Sequence, residues 1–284
     1  MWNKKKYNVI IRTEGGPSIG MGHLVRCLAL ADMLKYDFNI SFAIQQPNEQ
    51  LIDAIHSVTS NIINLPETDN FHKDVLNFIK YLDPIDIAVL DGYNFKTSYQ
   101  KTIKEKGCKL VCIDDLHSWH HVADAVINHA EGVDSTLYSA EPYTKIYLGF
   151  NYILLRKPFL NPDLPSRKIT SVKSVFVNMG AADVNNLTQK FTEAILEVKE
   201  IEEVHLMLSS TNPLLNSSDK KIKRYFNLSS EALCSLLQKC DLAVCPASNI
   251  ALEACAVGIG LISGYTAENQ LDILHGLIKN GAVI

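Results

Sequence analysis

Short apolar runs alternate with amphipathic segments through the first half of the chain. Buried strands are predicted at 7–13, 39–45, 85–93, 109–115, 123–129 and 145–150, with a further apolar run at 62–65. Between them a 3.6-residue period predicts helices at 22–35, 70–82 and 95–106. Because apolar strands that alternate with helices are typical of a parallel sheet covered on both faces, this half is predicted to be an α/β domain.

A segment with three prolines and little apolar periodicity, 157–171, predicts a linker. The strand signals resume at 174–180, 204–210, 242–248 and 260–265, and the helix signals at 186–199, 230–240, 250–257 and 268–280. The sequence therefore predicts two Rossmann-like, doubly wound α/β domains, 1–158 and 170–284. Such a pair is expected to face across a cleft in which the ligand binds.

Composition narrows the possible partners. The net charge of −4 argues against a broad nucleic-acid surface, and Lys4 to Lys6 is interpreted as a solvated lead-in to the first strand. No apolar run reaches the roughly 18 residues of a membrane span and no signal-peptide core is present, which predicts a cytoplasmic protein. The seven scattered cysteines are predicted to be core residues, and no metal or cofactor is expected.

The stretch GGPSIGMGHLVRCLALADML (15–34) places glycines and a histidine at the start of a helix. Gly20 and Gly22 allow a tight turn, and the helix amino end that follows suits an anion. His23 falls in the first turn, where the positive end of the helix dipole favours a neutral ring that can accept a proton. A capping or core histidine is the alternative. The buried stripe of this helix is predicted to be Leu24, Cys27, Leu28, Ala31 and Leu34.

Two further strand-to-helix turns carry small residues. In VNMGAADVNNL (177–187), Gly180 and Ala181 allow close approach of a phosphate, while Asp183 or Asn185 can cap the helix; a simple capped turn explains the pattern equally well. In CPASNIALEACAVG (245–258), Ser248 and Asn249 open a helix and Glu253 lies one turn inside it. A carboxylate at that position can accept both hydroxyls of a ribose whose diphosphate rests on the helix start.

These stretches, together with IDDLHSWHHVADAVINH, LGFNYILLRKPF and the later AENQ, resemble in order the UDP-2,4-diacetamido-2,4,6-trideoxy-β-L-altropyranose hydrolases of pseudaminic acid biosynthesis. The resemblance covers nearly the whole chain, and I-G-x-G-H-x-x-R at 19–26 is its most specific part. That family is similar to the peptidoglycan glycosyltransferases, which implies a glycosyltransferase-B-like fold.

The resemblance also implies residue roles. His23 would activate the water that displaces UDP, and Glu253 would bind the nucleotide ribose. The remaining substrate-binding positions that it implies are Arg12, Glu14, Gly20, Gly22, Gly180, Ala181, Ser248, Asn249 and Gln270. The family commonly has glycine where Ala181 stands and aspartate where Glu14 stands.

A hydrolase of this kind needs an activated water on one face of the anomeric carbon and stabilisation of departing UDP on the other. Since UDP is a good leaving group, no general acid is required, and attack opposite to UDP predicts inversion. The absence of a metal-ligand pattern predicts metal independence. A UDP-sugar-dependent glycosyltransferase and a non-catalytic nucleotide-sugar-binding partner are the alternatives, and the sequence does not give the oligomeric state or the exact diacetamido sugar.

Other polar residues follow the predicted strands. Asp91, Asp114 and Asp115 end strands, and each is expected either to cap a turn or to support His23. His117, His120 and His121 form either a polar loop or, less consistently with their spacing, a metal site.

Overall fold

The computed structural model describes residues 7–14, 21–180, 183, 185–208 and 219–283. The chain divides between Leu154 and Leu155 into two compact units. Each unit is built around a parallel β-sheet with helices on its faces. Among the described residues, no helix combines the length and apolar character that crossing a membrane requires.

The first unit contains nine of the described strands, seven of which form one parallel sheet in the order β3-β2-β1-β4-β5-β7-β9. The strands are β1 (Asn8–Thr13), β2 (Asn39–Gln45), β3 (Ile62–Leu65), β4 (Ile87–Asp91), β5 (Lys109–Ile113), β6 (His120–His121), β7 (Ala125–Asn128), β8 (Ser139–Ala140) and β9 (Lys145–Leu148). The pair β6 and β8 forms a separate two-stranded sheet. The helices of this unit are α1 (Gly22–Leu34), α2 (Glu49–His56), α3 (Phe71–Phe78) and α4 (Thr97–Glu105).

Successive side chains of the central strands pack into different cores. Ile10 joins a buried cluster with Phe78 and Ile103, whereas its neighbour Ile11 joins a second cluster with Leu24 and Ile55. This is the pattern of a sheet covered by helices on both faces. The strand order reverses between β1 and β4, so a crevice is expected beyond their carboxyl ends, at Thr13 and Asp91.

The second unit has a five-stranded parallel sheet in the order β12-β11-β10-β13-β14. Its strands are β10 (Ser174–Val177), β11 (Glu203–Leu208), β12 (Ile222–Phe226), β13 (Leu242–Pro246) and β14 (Gly260–Gly264), and its helices are α5 (Leu187–Leu196), α6 (Ser230–Leu237), α7 (Asn249–Val257) and α8 (Leu271–Lys279). Here the order reverses between β10 and β13, which brings the loops at Gly180 and Ser248 to one edge of the sheet.

Most predicted elements are confirmed within a few residues, but α2, β12 and the two-residue strands β6 and β8 were not predicted. Helix α2 is short and buries only Leu51 and Ile55, so its apolar signal is weak. Strand β12 lies at the edge of its sheet and carries charged residues in its interior, which hides a strand pattern. All seven cysteines are unpaired and six are buried, so the prediction that they are core residues is confirmed.

The proline-rich segment 157–171 lies in the second unit. It begins with a 3₁₀ turn, Lys157–Leu160, in which Phe159 is buried. Further along, Arg167 donates to the carbonyl of Cys240 and to the carboxylate of Asp241. The segment is thus attached to the body of the second unit.

Candidate functional site

A buried histidine and aspartate meet where α1 begins and β4 ends. His23 is the second residue of α1, and its Nδ1 lies 2.7 Å from Oδ1 of Asp91, the last residue of β4. Both side chains are buried. The prediction that His23 lies in the first turn of the helix is confirmed, and Asp91, a residue with two possible roles on sequence grounds, is its direct partner.

Arg26 completes this contact. It lies one helical turn after His23, and its Nε and Nη2 donate to the two carboxylate oxygens of Asp91 at 2.7 and 2.5 Å. Burial alone would raise the pKa of Asp91, but the charges of Arg26 and His23 and their hydrogen bonds outweigh it and hold that pKa well below its usual range. Asp91 is therefore a permanent anion over the whole physiological range.

The contacts determine which nitrogen of His23 carries a proton. The ionised Asp91 can only accept, so its 2.7 Å contact places the proton on Nδ1; Nη2 of Arg26, 3.0 Å from the same nitrogen, then donates to Oδ1 of Asp91 and not to the ring. Nε2 makes no hydrogen bond with the described residues and keeps a lone pair that can accept a proton. The ring of Tyr93 meets the imidazole edge-on, with 4.6 Å between centroids, and limits its rotation. A buried carboxylate and a neutral imidazole in this order are the arrangement of a general base with its orienting group.

Asp115 and His129 extend the cluster along the same sheet edge. Ile113 of β5 pairs with Ile127 of β7, and Asp115 and His129 each lie two residues beyond that pair. Asp115 accepts from Nη1 of Arg26 at 3.0 Å, so one guanidinium joins two carboxylates. His129 is buried, and within the described ranges neither of its ring nitrogens has a hydrogen-bond partner. Burial, reinforced by the charge of Arg26, lowers the pKa of His129 to about 4.

The low pKa of His129 predicts a loss of stability in acid. Between about pH 6.5 and pH 4 the unfolded chain binds a proton at this residue and the folded chain does not, so the free energy of unfolding falls as the pH drops through that window. The contribution is about 3 kcal/mol at most. Urea unfolding of the wild type and of His129→Leu at pH 7 and pH 4.5 tests this: the variant is expected to lose less stability than the wild type, and an equal loss would contradict the assignment.

Glu14 lies beside Asp91, the partner of His23. It follows β1 directly, its backbone N–H donates to the carbonyl of Asp91, and its Oε1 accepts from Nδ2 of Asn94 at 3.1 Å. A Cβ at Gly92 would lie 2.7 Å from Oε2 of Glu14 and 2.8 Å from Cε2 of Phe95, so any side chain there would have to displace one of these two neighbours. The structure thus places Glu14 at the carboxyl ends of β1 and β4, where Asp91 contacts His23.

Arg12 occupies a different position. It points into the core, where Nε and Nη2 donate to both oxygens of Asp74 and Nη1 donates to the carbonyl of Thr13. Asp74 also accepts from Tyr99 and Gln45. These contacts hold the Arg12 side chain in the core of the first unit, and its predicted contact with substrate stays a prediction.

Of the two predicted glycines before His23, Gly20 lies outside the described residues. Gly22 is the first residue of α1, and no described atom lies within 4 Å of the position a Cβ would take. Met21, which precedes α1, provides no side-chain cap, and the first turn of the helix holds no acidic residue. The positive end of the helix dipole therefore meets no negative side chain from that turn and is expected to attract an anion.

The three histidines after Asp115 form a loop and a short strand. His120 contacts Ser139 and Glu141, and His121 packs against Tyr138. Asp114 accepts from the backbone N–H groups of the loop and from the hydroxyl of Tyr138. Within the described part of the chain, no three potential metal ligands converge. Asp114 therefore takes the turn-capping role, which was one of its two predicted possibilities.

In the second unit, the loop after β10 has the conformation expected of a glycine turn. Gly180 has a φ of +81°, which favours glycine, and no described atom lies within 4 Å of the position of a Cβ. Ala181 lies outside the described residues. Asp183 accepts from the backbone N–H groups of Leu187 and Thr188 at 2.7 and 3.1 Å and so caps α5. Of the two possible caps, Asp183 is the one used, and it occupies amides that a phosphate would need.

Removing the Asp183 cap is expected to destabilise the second unit. Asp183→Ala leaves the first amides of α5 without an acceptor and should lower the free energy of unfolding by about 1 kcal/mol. Asn185→Ala, which changes an exposed residue of the same turn, is the matched control. Equal unfolding midpoints for the two variants in urea would contradict the assignment of the cap.

The start of α7 differs from that of α5. The side chain of Ser248 does not cap α7; its Oγ donates instead to the carbonyl of Pro246. Glu253 lies buried inside the helix, and each of its carboxylate oxygens accepts from Arg156, at 2.7 Å. Each oxygen retains a second lone pair for another donor. Gln270 holds the loop before α8, because its Oε1 accepts from the backbone of Thr266.

Three residues of these clusters were not among the predicted site residues. Arg26 ends the I-G-x-G-H-x-x-R segment, and its three-residue spacing from His23 places both on one helix side. His129 follows a predicted strand, as Asp91 and Asp115 do. Arg156 lies in the LGFNYILLRKPF stretch of the resemblance, but nothing in that stretch points to a carboxylate 97 residues away.

Two Rossmann-like α/β units place this protein in the glycosyltransferase-B fold class, and solved structures confirm the predicted fold. MurG of Acinetobacter baumannii superposes with a TM-score of 0.62 at 12% identity, covering 98% of this chain and 85% of that one. The calicheamicin glycosyltransferase superposes with a TM-score of 0.63 at 11% identity, covering 99% and 86%. At such identities the likeness shows the fold alone.

Sequence comparison confirms the resemblance found in the motifs. The UDP-2,4-diacetamido-2,4,6-trideoxy-β-L-altropyranose hydrolase of Campylobacter jejuni is 26% identical over 280 residues, which cover 96% of this chain and 97% of that protein. The spore coat polysaccharide biosynthesis protein SpsG of Bacillus subtilis is 25% identical, covering 98% and 83%. An uncharacterized protein of Methanocaldococcus jannaschii is 27% identical over 95% of this chain, which spans only 58% of that relative's length. No protein-family model matches the chain.

Proposed function

We propose that this protein is an enzyme that acts on UDP-sugars and, specifically, that it hydrolyses a UDP-linked 2,4-diacetamido-2,4,6-trideoxy sugar to the free sugar and UDP. The observation that carries the proposal is the buried His23–Asp91 contact at the start of α1, with Nε2 of His23 left as an acceptor. The similarity to the Campylobacter jejuni hydrolase over nearly the whole of both chains supports the substrate class.

In the proposed reaction, Nε2 of His23 takes a proton from water as the water oxygen bonds to the anomeric carbon. The bond from that carbon to the UDP oxygen breaks, and its electron pair leaves with the β-phosphate. Asp91 keeps the proton on Nδ1 and stabilises the imidazolium as it forms, since it remains ionised. Because water and UDP occupy opposite faces of the carbon, the product is the inverted anomer.

The proposal assigns nucleotide binding to the second unit. The open, left-handed turn at Gly180 and the start of α7 at Ser248 and Asn249 would hold the diphosphate, and the second lone pairs of the Glu253 carboxylate would accept the ribose hydroxyls. Helix amino ends offset the charge that builds on departing UDP, so no metal ion is assigned to this step. The amino end of α5 is excluded from this role, because Asp183 already occupies its amides.

A glycosyltransferase is the second candidate. The observation that favours it is the fold, since most of the superposed structures are glycosyltransferases. The same dyad could deprotonate a sugar hydroxyl in place of water, so geometry alone does not separate the two reactions. A nucleotide-sugar-binding protein without turnover is less consistent with an oriented base.

Release of UDP without an acceptor separates these candidates. The protein is incubated with UDP-2,4-diacetamido-2,4,6-trideoxy-β-L-altropyranose in EDTA, and free UDP and free sugar are followed together. Equal amounts of both products support the hydrolase and its metal independence. Release that requires an added sugar acceptor would support the transferase, and tight UDP binding with no release under either condition would support the non-catalytic alternative.

A further inference from the structure

His129 is a buried polar side chain whose hydrogen-bonding capacity is unused in the part of the chain that the structure describes. It follows β7 directly, it is 3% exposed, and neither Nδ1 nor Nε2 has a hydrogen-bond partner among the described residues. A neutral imidazole has one donor and one acceptor, and leaving a buried donor or acceptor unpaired costs about 1–3 kcal/mol. Folding alone gives no reason to keep a histidine at this position, since an apolar residue of similar size would avoid that cost.

The position of His129 points to the site of chemistry. His129 follows β7, as Asp115 follows the neighbouring strand β5 two residues beyond its end, and Asp115 is joined through Arg26 to Asp91, the partner of His23. The charge of Arg26 and burial together keep the His129 ring neutral at physiological pH. The neutral imidazole of His129 can bind a group that both donates and accepts a hydrogen bond. Because Arg26 is already paired with Asp91 and Asp115, that group is expected to be uncharged.

We propose that His129 is a substrate-binding residue that hydrogen-bonds an uncharged polar group, an acetamido or hydroxyl group, of the sugar. The inference rests on the proposed function and deepens it, because it assigns recognition of the sugar to the first unit. An acetamido group offers an N–H donor and a carbonyl acceptor, and a hydroxyl offers both in one atom, so either can complete what the imidazole lacks.

The test compares affinities for UDP and for UDP-2,4-diacetamido-2,4,6-trideoxy-β-L-altropyranose by calorimetry, with His23→Ala as the parent to prevent turnover. The dissociation constant for UDP divided by that for the UDP-sugar measures what the sugar adds to the affinity, because the contacts to UDP cancel. Adding His129→Leu is expected to lower the ratio about 10- to 100-fold, as the loss of one or two hydrogen bonds predicts. Adding His129→Gln, which keeps a donor and an acceptor, is expected to lower the ratio less than His129→Leu does.

His121→Leu is the matched control. His121 is also buried with an unpartnered Nε2, but it packs against Tyr138 and its electrostatic neighbours are Asp114 and His120. This variant should leave the affinity ratio unchanged. In the protein without ligand, His129→Leu is also expected to raise the melting temperature by about 2–4 °C, because two unpaired buried nitrogens are removed. If His129 had only a structural role, His129→Leu would lower the melting temperature.

Two failures can be told apart. If the parent binds the UDP-sugar more tightly than UDP but His129→Leu leaves the ratio unchanged, the role of His129 is wrong and the proposed function stands. If the parent binds both ligands equally, the proposed substrate is wrong and the role of His129 falls with it.

Discussion

His23→Ala is expected to lower the rate of UDP release by about 100- to 10,000-fold, the range that a general base supplies. The affinity for UDP alone should stay within about twofold of the wild type, because the residues proposed to hold the nucleotide lie in the other unit. Initial rates of UDP release at saturating substrate, with UDP affinity from calorimetry, measure both quantities.

His56→Ala is the matched control, since His56 is an exposed histidine at the end of α2 in the same unit. It should retain the wild-type rate. Asp91→Asn should approach the effect of His23→Ala, because an amide can donate to Nδ1 and so favour the tautomer with its proton on Nε2. A wild-type rate in His23→Ala would contradict the assigned base, whatever the result for Asp91.

Asp74→Ala is expected to have the largest effect on folding, a loss of about 3–5 kcal/mol in the free energy of unfolding. Asp74 is fully buried and accepts hydrogen bonds from Arg12, Tyr99 and Gln45. Removing it leaves the Arg12 guanidinium buried without a counter-charge and two neutral donors without an acceptor. Burial raises the pKa of Tyr99, so its hydroxyl is a neutral donor to Asp74 in the intact protein.

Urea unfolding of Asp74→Ala and of Asp69→Ala tests this prediction. Asp69 is an exposed aspartate in the turn before α3 and should change stability by less than about 0.5 kcal/mol. A loss below about 1 kcal/mol in Asp74→Ala would contradict a structural role for the Arg12–Asp74 pair. Arg12 would then be open again to the substrate role that the resemblance implies.

The periodicity of the chain predicted most of the fold because the buried strands are unusually apolar. Strands such as β4 and β13 contain little but apolar residues, and α1 buries Leu24, Cys27 and Ala31 at helical spacing, so local pattern and tertiary structure agree there. The other two residues predicted to be buried in α1, Leu28 and Leu34, are only half-buried. Edge strand β12 was not predicted because it buries little apolar surface and so lacks an apolar pattern. Its pairing with β11 cannot be read from its own residues.

The candidate site was predictable only in part. The glycines before α1 predicted a functional role for His23, and the strand ends predicted Asp91 and Asp115 as possible partners. The contacts themselves, His23 with Asp91 68 residues away and Arg26 with Asp115 89 residues away, depend on the order of the strands in the sheet. The resemblance implies a substrate role for Arg12, and the sequence does not reveal that its side chain turns into the core toward Asp74. His129 could be identified only from its missing partners, which no sequence pattern records.

The central claim is that His23 directs water to the anomeric carbon of a UDP-sugar, and turnover in ¹⁸O-labelled water tests it most directly. If water attacks the sugar carbon, the bond from that carbon to UDP breaks and the released UDP contains only its original oxygens. Mass spectrometry of UDP from the wild type should therefore show no label, at a rate that His23→Ala reduces about 100-fold or more. One ¹⁸O atom in the released UDP would show attack at phosphorus and contradict the account.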